Sequence, residues 1–304
     1  MKTSSLRDVN LARRVGRYFR SHSILFHFFA AVLMLWAVSL MFMLVWGFLV
    51  SVTEYRGELG FANNKARIIP LEFNFGNYVS AFSAIRVDTN YGSVATFFDL
   101  LFNSLWITLG STVLKVLSTV CFAYVIARYH FFGRKFLYAF VVVQMMIPAY
   151  GQTAANYSLL DSMGMIDSPA YLLSQTAGHG IYFLVVHSYM VNISDTYHEA
   201  AKVEGANDWQ IFGQVMLPLS RPAVLSVFVI QFIAGWNDYS TILVFMERFP
   251  TLASGLFLFA SSREFSGAPI YFAGIFLAAL PICVIFLVFN KMLMENLTIG
   301  GIKG

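Results

Sequence analysis

The chain has 304 residues, of which 58% are hydrophobic and 12% charged, with a mean hydropathy of +0.66; soluble domains average about 45–50% apolar and about 25% charged. A water-soluble fold has too little polar surface to cover that composition, so the sequence reads as an all-α polytopic membrane protein. The net charge of +4 is accounted for by loops that anchor the apolar runs to a membrane surface, and nucleic acid need not be invoked.

Crossing a bilayer takes about 20 apolar residues. Six stretches approach that length, at about 24–53, 97–127, 133–155, 170–192, 222–246 and 270–290. The first is long and lacks a defensible small-residue cleavage site, so it reads as an uncleaved span rather than a signal peptide. Ahead of it, residues 1–23 carry Lys2, Arg7, Arg13, Arg14, Arg17 and Arg20. The outer loop 54–96 contains "IIPLEFNFGNYVSAF", which predicts a compact turn near Pro70 and a short interfacial helix. Arg128, Arg134 and Lys135 follow the second span, Lys202 and Arg221 follow the fourth, and Lys291 and Lys303 follow the sixth. These outnumber Arg56, Lys65, Arg67, Arg86, Arg248 and Arg263 in the opposite loops by thirteen to six. The positive-inside rule then puts both termini in the cytoplasm. The loop 247–269 carries "SSREFSGAP", an exposed turn. The organisation expected is a cytoplasmic segment 1–23, one membrane domain 24–290 and a cytoplasmic tail 291–304.

Site chemistry is not evident in this sequence. A phosphate-cradling G-x-x-x-x-G-K-[ST] loop is missing, as is H-E-x-x-H. The histidines His22, His27, His130, His179, His187 and His198 have no metal-ligand spacing. Cys121 and Cys283 fall inside spans and read as apolar filler. The expectation is a protein that is no enzyme, holds no metal or cofactor, and draws any energy it uses from elsewhere.

Between the fourth and fifth spans lies a polar island, "HEAAKVEGANDWQIFGQVMLPLSRP", residues 198–222. Thr196 followed by Glu199 fits a capping box, and "EAAKVE" favours helix. Gly205 suits the left-handed residue that ends a helix. Asn207 and Gln210 make a second capping box for "DWQIFGQVM", which should stop at Leu217-Pro218, because proline lacks an amide proton and disfavours helix in the residue before it. Charge asymmetry puts these two short helices in the cytoplasm. Their spacing alone leaves open a hairpin resting on the membrane or a docking element.

The stretch "EAAKVEGANDWQIFGQVMLP" resembles the EAA loop of binding-protein-dependent ABC importer permeases, with Glu-Ala-Ala, three residues, Gly, and then Leu-Pro. "NSLWITLGS" (103–111), "AYVIARYHFFGRK" (123–135) and "QFIAGWNDY" (231–239) are similar to spans of the sugar-type permeases. "ENLTIGGIKG" (295–304) resembles the tail of the maltose-transporter type. The resemblance covers nearly the whole chain and implies a type I ABC importer permease fold with six transmembrane helices in a bacterial plasma (inner) membrane.

It also implies partners: a second permease in a heterodimer, two ATPase subunits that bind the ATP and Mg, an external solute-binding protein, and membrane lipid. On the island, 193–221, Glu199, Ala200, Ala201, Gly205, Ala206, Leu217 and Pro218 would couple to an ATPase. Gly300, Gly301, Lys303 and Gly304 in the tail would reach between the ATPase subunits.

The implied cargo is a carbohydrate. Aromatic faces and amides suit sugar rings and hydroxyls, which nominates Asn103, Gln144, Gln231, Trp236 and Asn237 for the path. Lys115 and Asp238 join them as intramembrane charges, which normally face a bundle interior or a wet cavity. Lys115 lies roughly 20 Å along a helix from Arg128, at about 1.5 Å per residue, too far to snorkel. It either pairs within the bundle or with a partner subunit, or meets substrate. It stands where the family is expected to have an apolar residue, which leaves an acidic saccharide open. Asp238, in the family's Trp-Asn-Asp pattern, is either a packing or gate residue or a substrate contact. Competing readings are a permease for another small polar solute, an ion-coupled secondary transporter with carboxylates in broken helices, and an intramembrane enzyme.

Overall fold

The computed structural model describes residues 24–54, 73–89, 92–147, 151–177, 180–261 and 268–297. The chain forms two compact units, residues 1–75 and 76–304. In the first, helix α1 (Ile24–Ser51) is apolar all round and exposes large side chains such as Leu33, Trp36 and Phe42 on every face. A helix of that kind needs lipid or protein against its whole surface. After it, the Asn74 amide donates to the Val52 carbonyl at 2.6 Å.

The second unit opens with α2 (Gly76–Ala84), the short helix expected in the 54–96 loop; the turn near Pro70 lies outside the described residues. A two-residue antiparallel pair follows, β1 (Val87–Asp88) with β2 (Val94–Ala95), in register Val87 to Ala95. Helix α3 (Phe97–Arg128) starts where the Asp99 carboxylate accepts from both the amide (2.9 Å) and the hydroxyl (2.7 Å) of Thr96. At 32 residues it is about 48 Å long. Then come α4 (Arg134–Met146), α5 (Gln152–Ser162), α6 (Tyr171–Ser174) with a 3-10 turn at Gln175–Ala177, α7 (Gly180–Val191), α8 (Asp195–Val203), α9 (Asp208–Trp236), α10 (Tyr239–Phe245), α11 (Leu252–Ser261) and α12 (Ala268–Leu297).

Helix α3 is the axis of this unit, packed by α7, α9 and α11 and by the α6 turn. Around its first half, Leu100 belongs to a buried cluster with Phe232, Trp236, Leu252, Leu256 and Ala273. Gly255 lets α11 come close: a Cβ there would sit 2.6 Å from Leu100 Cδ1. Small residues at helix contacts serve this purpose in membranes, where burial in lipid gives no hydrophobic drive to pack. Around its last half, Ile126 and Val120 pack with Phe183, Met190, Ile211 and Met216. A third cluster joins Ile107, Tyr171, Ile242 and Phe245.

The architecture is the all-α membrane fold expected, but helix length does not give six spans. Among the described residues four helices are long and apolar enough to cross, Leu25–Ser51, Phe97–Arg128, Asp208–Trp236 and Ala268–Phe289. The stretch 133–155 divides into α4 and α5, because Ile147, which precedes Pro148, is extended and Gly151 is left-handed. The stretch 170–192 divides into α6, the 3-10 turn and α7. The fifth span is displaced toward the amino terminus, running 208–236 in place of 222–246, and α10 follows as a separate helix capped by Asp238.

Candidate coupling site and transmembrane path

The island folds as two helices about Gly205. Ser194 caps α8, its hydroxyl accepting from the Thr196 amide at 3.3 Å. The expected Thr196–Glu199 box therefore gives way to a cap two residues earlier, which puts Asp195 in the first turn, where the helix dipole favours a carboxylate. Gly205 has φ +84, the Gly205 amide donates to the Lys202 carbonyl and the Ala206 amide to the Ala201 carbonyl, each at 3.0 Å. This is the double-bonded glycine stop. The second box is present as expected, with the Asn207 amide on Gln210 Oε1 (2.8 Å) and the Gln210 amide on Asn207 Oδ1 (2.9 Å).

The second helix does not stop at Leu217-Pro218. It passes through a π turn at Ile211–Met216, in which the Leu217 amide reaches the Phe212 carbonyl, and continues unbroken to Trp236. A proline ring in an α-helix clashes with the carbonyl four residues back; a wide turn immediately before it opens the backbone there. The island and the fifth span are consequently one rod. Such turns often mark functional places in helices, and nothing in the residue pattern marks this one beyond the proline.

Of the motif residues, Glu199, Ala200, Gly205 and Pro218 are exposed, Ala206 and Leu217 are half-buried, and Ala201 is buried under the π turn's side of the loop. Two exposed apolar residues flank the glycine, Val203 and Trp209, at 89% and 78% exposure. Reading by motif missed them, although an unburied Val and Trp on a polar loop was a visible signal for a docking tip. Gly300, Gly301, Lys303 and Gly304 lie outside the described residues.

Sequence reasoning also missed what holds the loop. Arg128, at the last turn of α3, has a side chain only 4% exposed. Its Nη2 donates to the Met190 carbonyl (2.6 Å) and the Ile193 carbonyl (2.7 Å), and Nη1 pairs with the Asp195 carboxylate. One guanidinium thus caps the end of α7 and grips the start of α8, using the fork geometry that lysine lacks. On the other side, Tyr124 of α3 packs on Phe212 (ring centroids 4.9 Å apart) and on Tyr129 (5.7 Å). Burial, reinforced by the Tyr124 hydroxyl and the Asp208 carboxylate, pushes the Tyr129 phenol above its ordinary value. Burial, then the cations Lys202 and Arg128, lower His198 on α8. Both halves of the loop are fastened to the end of α3.

The nominated path residues do not form one cluster. Asn103 is spent internally: its Nδ2 donates to the Pro250 carbonyl (3.0 Å) and its Oδ1 accepts from Trp106 Nε1 (3.1 Å). Trp236 is 3% exposed, stacks on Phe232 and donates to the Ala278 carbonyl at 3.0 Å, so it ties α9 to α12. Gln144 is exposed on α4 and Gln231 half-buried on α9. Asn237 donates to the Ile233 carbonyl (2.8 Å). Asp238 caps α10, accepting from the Thr241 amide (3.0 Å) and the Ser240 hydroxyl (3.1 Å). Lys115 and Asp238 do come together: half-buried, each lies in the other's field. Tyr171, next to Gln175, shares the field of Asp238. Among the described residues no group of three His, Cys, Asp or Glu side chains is placed to hold a metal.

Residues 119–298, which include the whole island and the rod, match the family described as binding-protein-dependent transport system inner membrane component. The chain belongs to that family. It is a multi-pass inner membrane component of a transport system, and its fold is that of the type I permeases. The permease is 33% identical over 207 residues to the maltodextrin transport system permease protein of Bacillus subtilis, covering 66% of this chain and 74% of that one. It is 25% identical over 281 residues to the diacetylchitobiose uptake system permease protein of Streptomyces coelicolor, covering 90% and 87%. In solved structures, a chain of a bacterial ABC transporter involved in the import of the acidic polysaccharide alginate superposes with a TM-score of 0.73 at 21% identity, over 89% of this permease and 98% of that chain.

Proposed function

We propose that this permease forms part of the translocation path of an ATP-driven importer for a carbohydrate, most simply an oligosaccharide, delivered by an external binding protein. The relatives named above for maltodextrin and diacetylchitobiose support the cargo class. In this reading the chain pairs with a second permease, and ATP and Mg are bound and hydrolysed on two separate ATPase subunits. Both termini are cytoplasmic, and residues 193–221 face the ATPase, with Glu199, Ala200, Ala201, Gly205, Ala206, Leu217 and Pro218 shaping the contact. Residues 300–304 add a tail contact.

The observation that carries the proposal is the docked island: an exposed Val203–Trp209 tip about a left-handed glycine, continuous with a transmembrane rod. Closure of the ATPase pair pushes the tip. The push passes along α9 itself, and through Arg128, Tyr124 and Tyr129 into α3. Lys115 lies on α3, and Asp238, the cap of α10, follows the end of α9 by two residues, so a shift of α9 against α3 alters their spacing where cargo passes.

The deciding experiment is uptake into proteoliposomes holding both permeases and the ATPase subunits, with binding protein and labelled oligosaccharide. Uptake is expected only with ATP. Uptake by the permeases alone on an ion gradient would replace this reading with a secondary transporter, and ATP-driven uptake of some other polar solute, with none of any oligosaccharide, would remove the carbohydrate.

A further inference from the structure

Where α3 ends and α4 begins, the chain turns back through Tyr129–Gly133 and leaves a cavity of about 1280 Å³ beside α7. Its wall carries His130, Phe132, Arg134, Lys135, Tyr138 and His187. Four of these six are cations or imidazoles, and the lining includes neither Asp nor Glu. Arg134 donates to the Ala127 carbonyl at 3.3 Å, near the open end of α3, and acts electrostatically on His187. His187 is held between Tyr138 (5.1 Å) and Phe183 (5.3 Å), so its ring is fixed in the wall rather than free in solvent. Lys135 is exposed and, among the described residues, has no carboxylate within ion-pair distance.

Below this cationic wall the surface is apolar. Phe132, at the tip of the turn, is fully exposed, and Phe136, Phe140 and Val143 continue the exposed apolar face along α4. The cavity also sits where an apolar 32-residue span ends, which is headgroup depth on either side of a bilayer. A basic pocket opening onto an acyl-lined face between transmembrane helices is the arrangement that takes an anionic headgroup, with aromatic side chains at the interface.

We infer that this cavity binds an anionic phospholipid of the cytoplasmic leaflet, its phosphate between Arg134, Lys135 and the imidazoles and its chains along Phe132, Phe136 and Phe140. The choice of leaflet rests on the orientation proposed above; the binding itself does not. The charge decides for lipid over a second protein chain. Both sources of apolar cover would suit the phenylalanines, but Arg134 and Lys135, which among the described residues have no carboxylate within ion-pair distance, are stabilised by a phosphate that the bilayer itself supplies.

The test uses the assembled transporter in nanodiscs made with equal parts phosphatidylglycerol and phosphatidylcholine, or with phosphatidylcholine alone, and native mass spectrometry of lipid retained on release. Wild type is expected to retain phosphatidylglycerol over phosphatidylcholine. The double variant Arg134→Gln, Lys135→Gln is expected to lose roughly thirty-fold in that preference, and the pair Arg134→Lys, Lys135→Arg to keep most of it. A wild type without preference overturns the inference, whether or not the variants assemble. So does a Phe132→Cys transporter whose cysteine cross-links to another subunit rather than to a lipid-borne probe. ATP-driven uptake measured in the same preparations reports separately on the proposed function, so loss of one reading leaves the other standing.

Discussion

Arg128 and Lys115 stand on the same helix, one at its end and one near its middle, and the chain holds them in opposite ways. Arg128 is almost wholly enclosed, with two carbonyls and a carboxylate on its guanidinium. Lys115 is half-buried and feels Asp238 through space, while Asp238 uses its Oδ1 for the α10 cap. A cation bonded from three sides cannot move without breaking bonds that together hold α3, α7 and α8. A cation held only by a field can change neighbours cheaply. In the function proposed above, the first is the joint that transmits force without slack, and the second is the place on the cargo path where the partner is exchangeable.

The comparison can be broken at three points. The largest effect is expected from Gly205→Pro. The position has φ +84, proline is fixed near −65°, and the Gly205 amide donates to Lys202, so the loop tip cannot form. ATP-coupled uptake should vanish while membrane insertion, followed by fractionation, stays normal; wild-type uptake would refute the loop's role.

Arg128→Ala comes next. It strips two carbonyls and a carboxylate of their donor, destabilising the joint by about 2 kcal/mol. Sugar moved per ATP hydrolysed should fall about ten-fold, with Arg128→Lys restoring only part, since an ammonium cannot reproduce the fork. A purely structural role would lower the amount of assembled transporter and leave that ratio unchanged.

The smallest effect should follow Lys115→Met, a change of charge at similar length. Uptake of a uronate-containing oligosaccharide should drop by a few-fold more than uptake of a neutral one, the scale of one charge-assisted hydrogen bond. Equal losses would make Lys115 a partner for Asp238 alone.

Much of this was legible from residue pattern because capping and periodicity are local. Gly205 and the Asn207–Gln210 box stand where a reader of the island would put them, and the apolar runs locate three of the four long helices, the fourth, α9, starting 14 residues earlier than its run, at 208 in place of 222. What escaped notice depends on contacts far apart in sequence. Arg128 reads as one more positive residue in a loop count, and only the fold brings it to Met190, Ile193 and Asp195. Trp236 and Asn103, nominated for sugar contact by their chemistry, are instead bonded to the carbonyls of Ala278 and Pro250. Residue type states what a side chain is able to do; its neighbours decide how that capacity is used. Pro218 misled for a related reason, since the wide turn that accommodates it has no signature of its own.

That wide turn has a mechanical consequence. A helix stopping at Leu217 would have left a hinge between the exposed tip and the apolar part of the helix, and a hinge dissipates displacement by bending. A continuous helix of 29 residues, about 44 Å at 1.5 Å per residue, carries displacement along its length instead. Helix α3 lies against both of its ends, with Tyr124 on Phe212 and Thr108 beside Gly235, so in the function proposed above displacement at Asp208 is shared along the α3–α9 pair rather than lost at a bend.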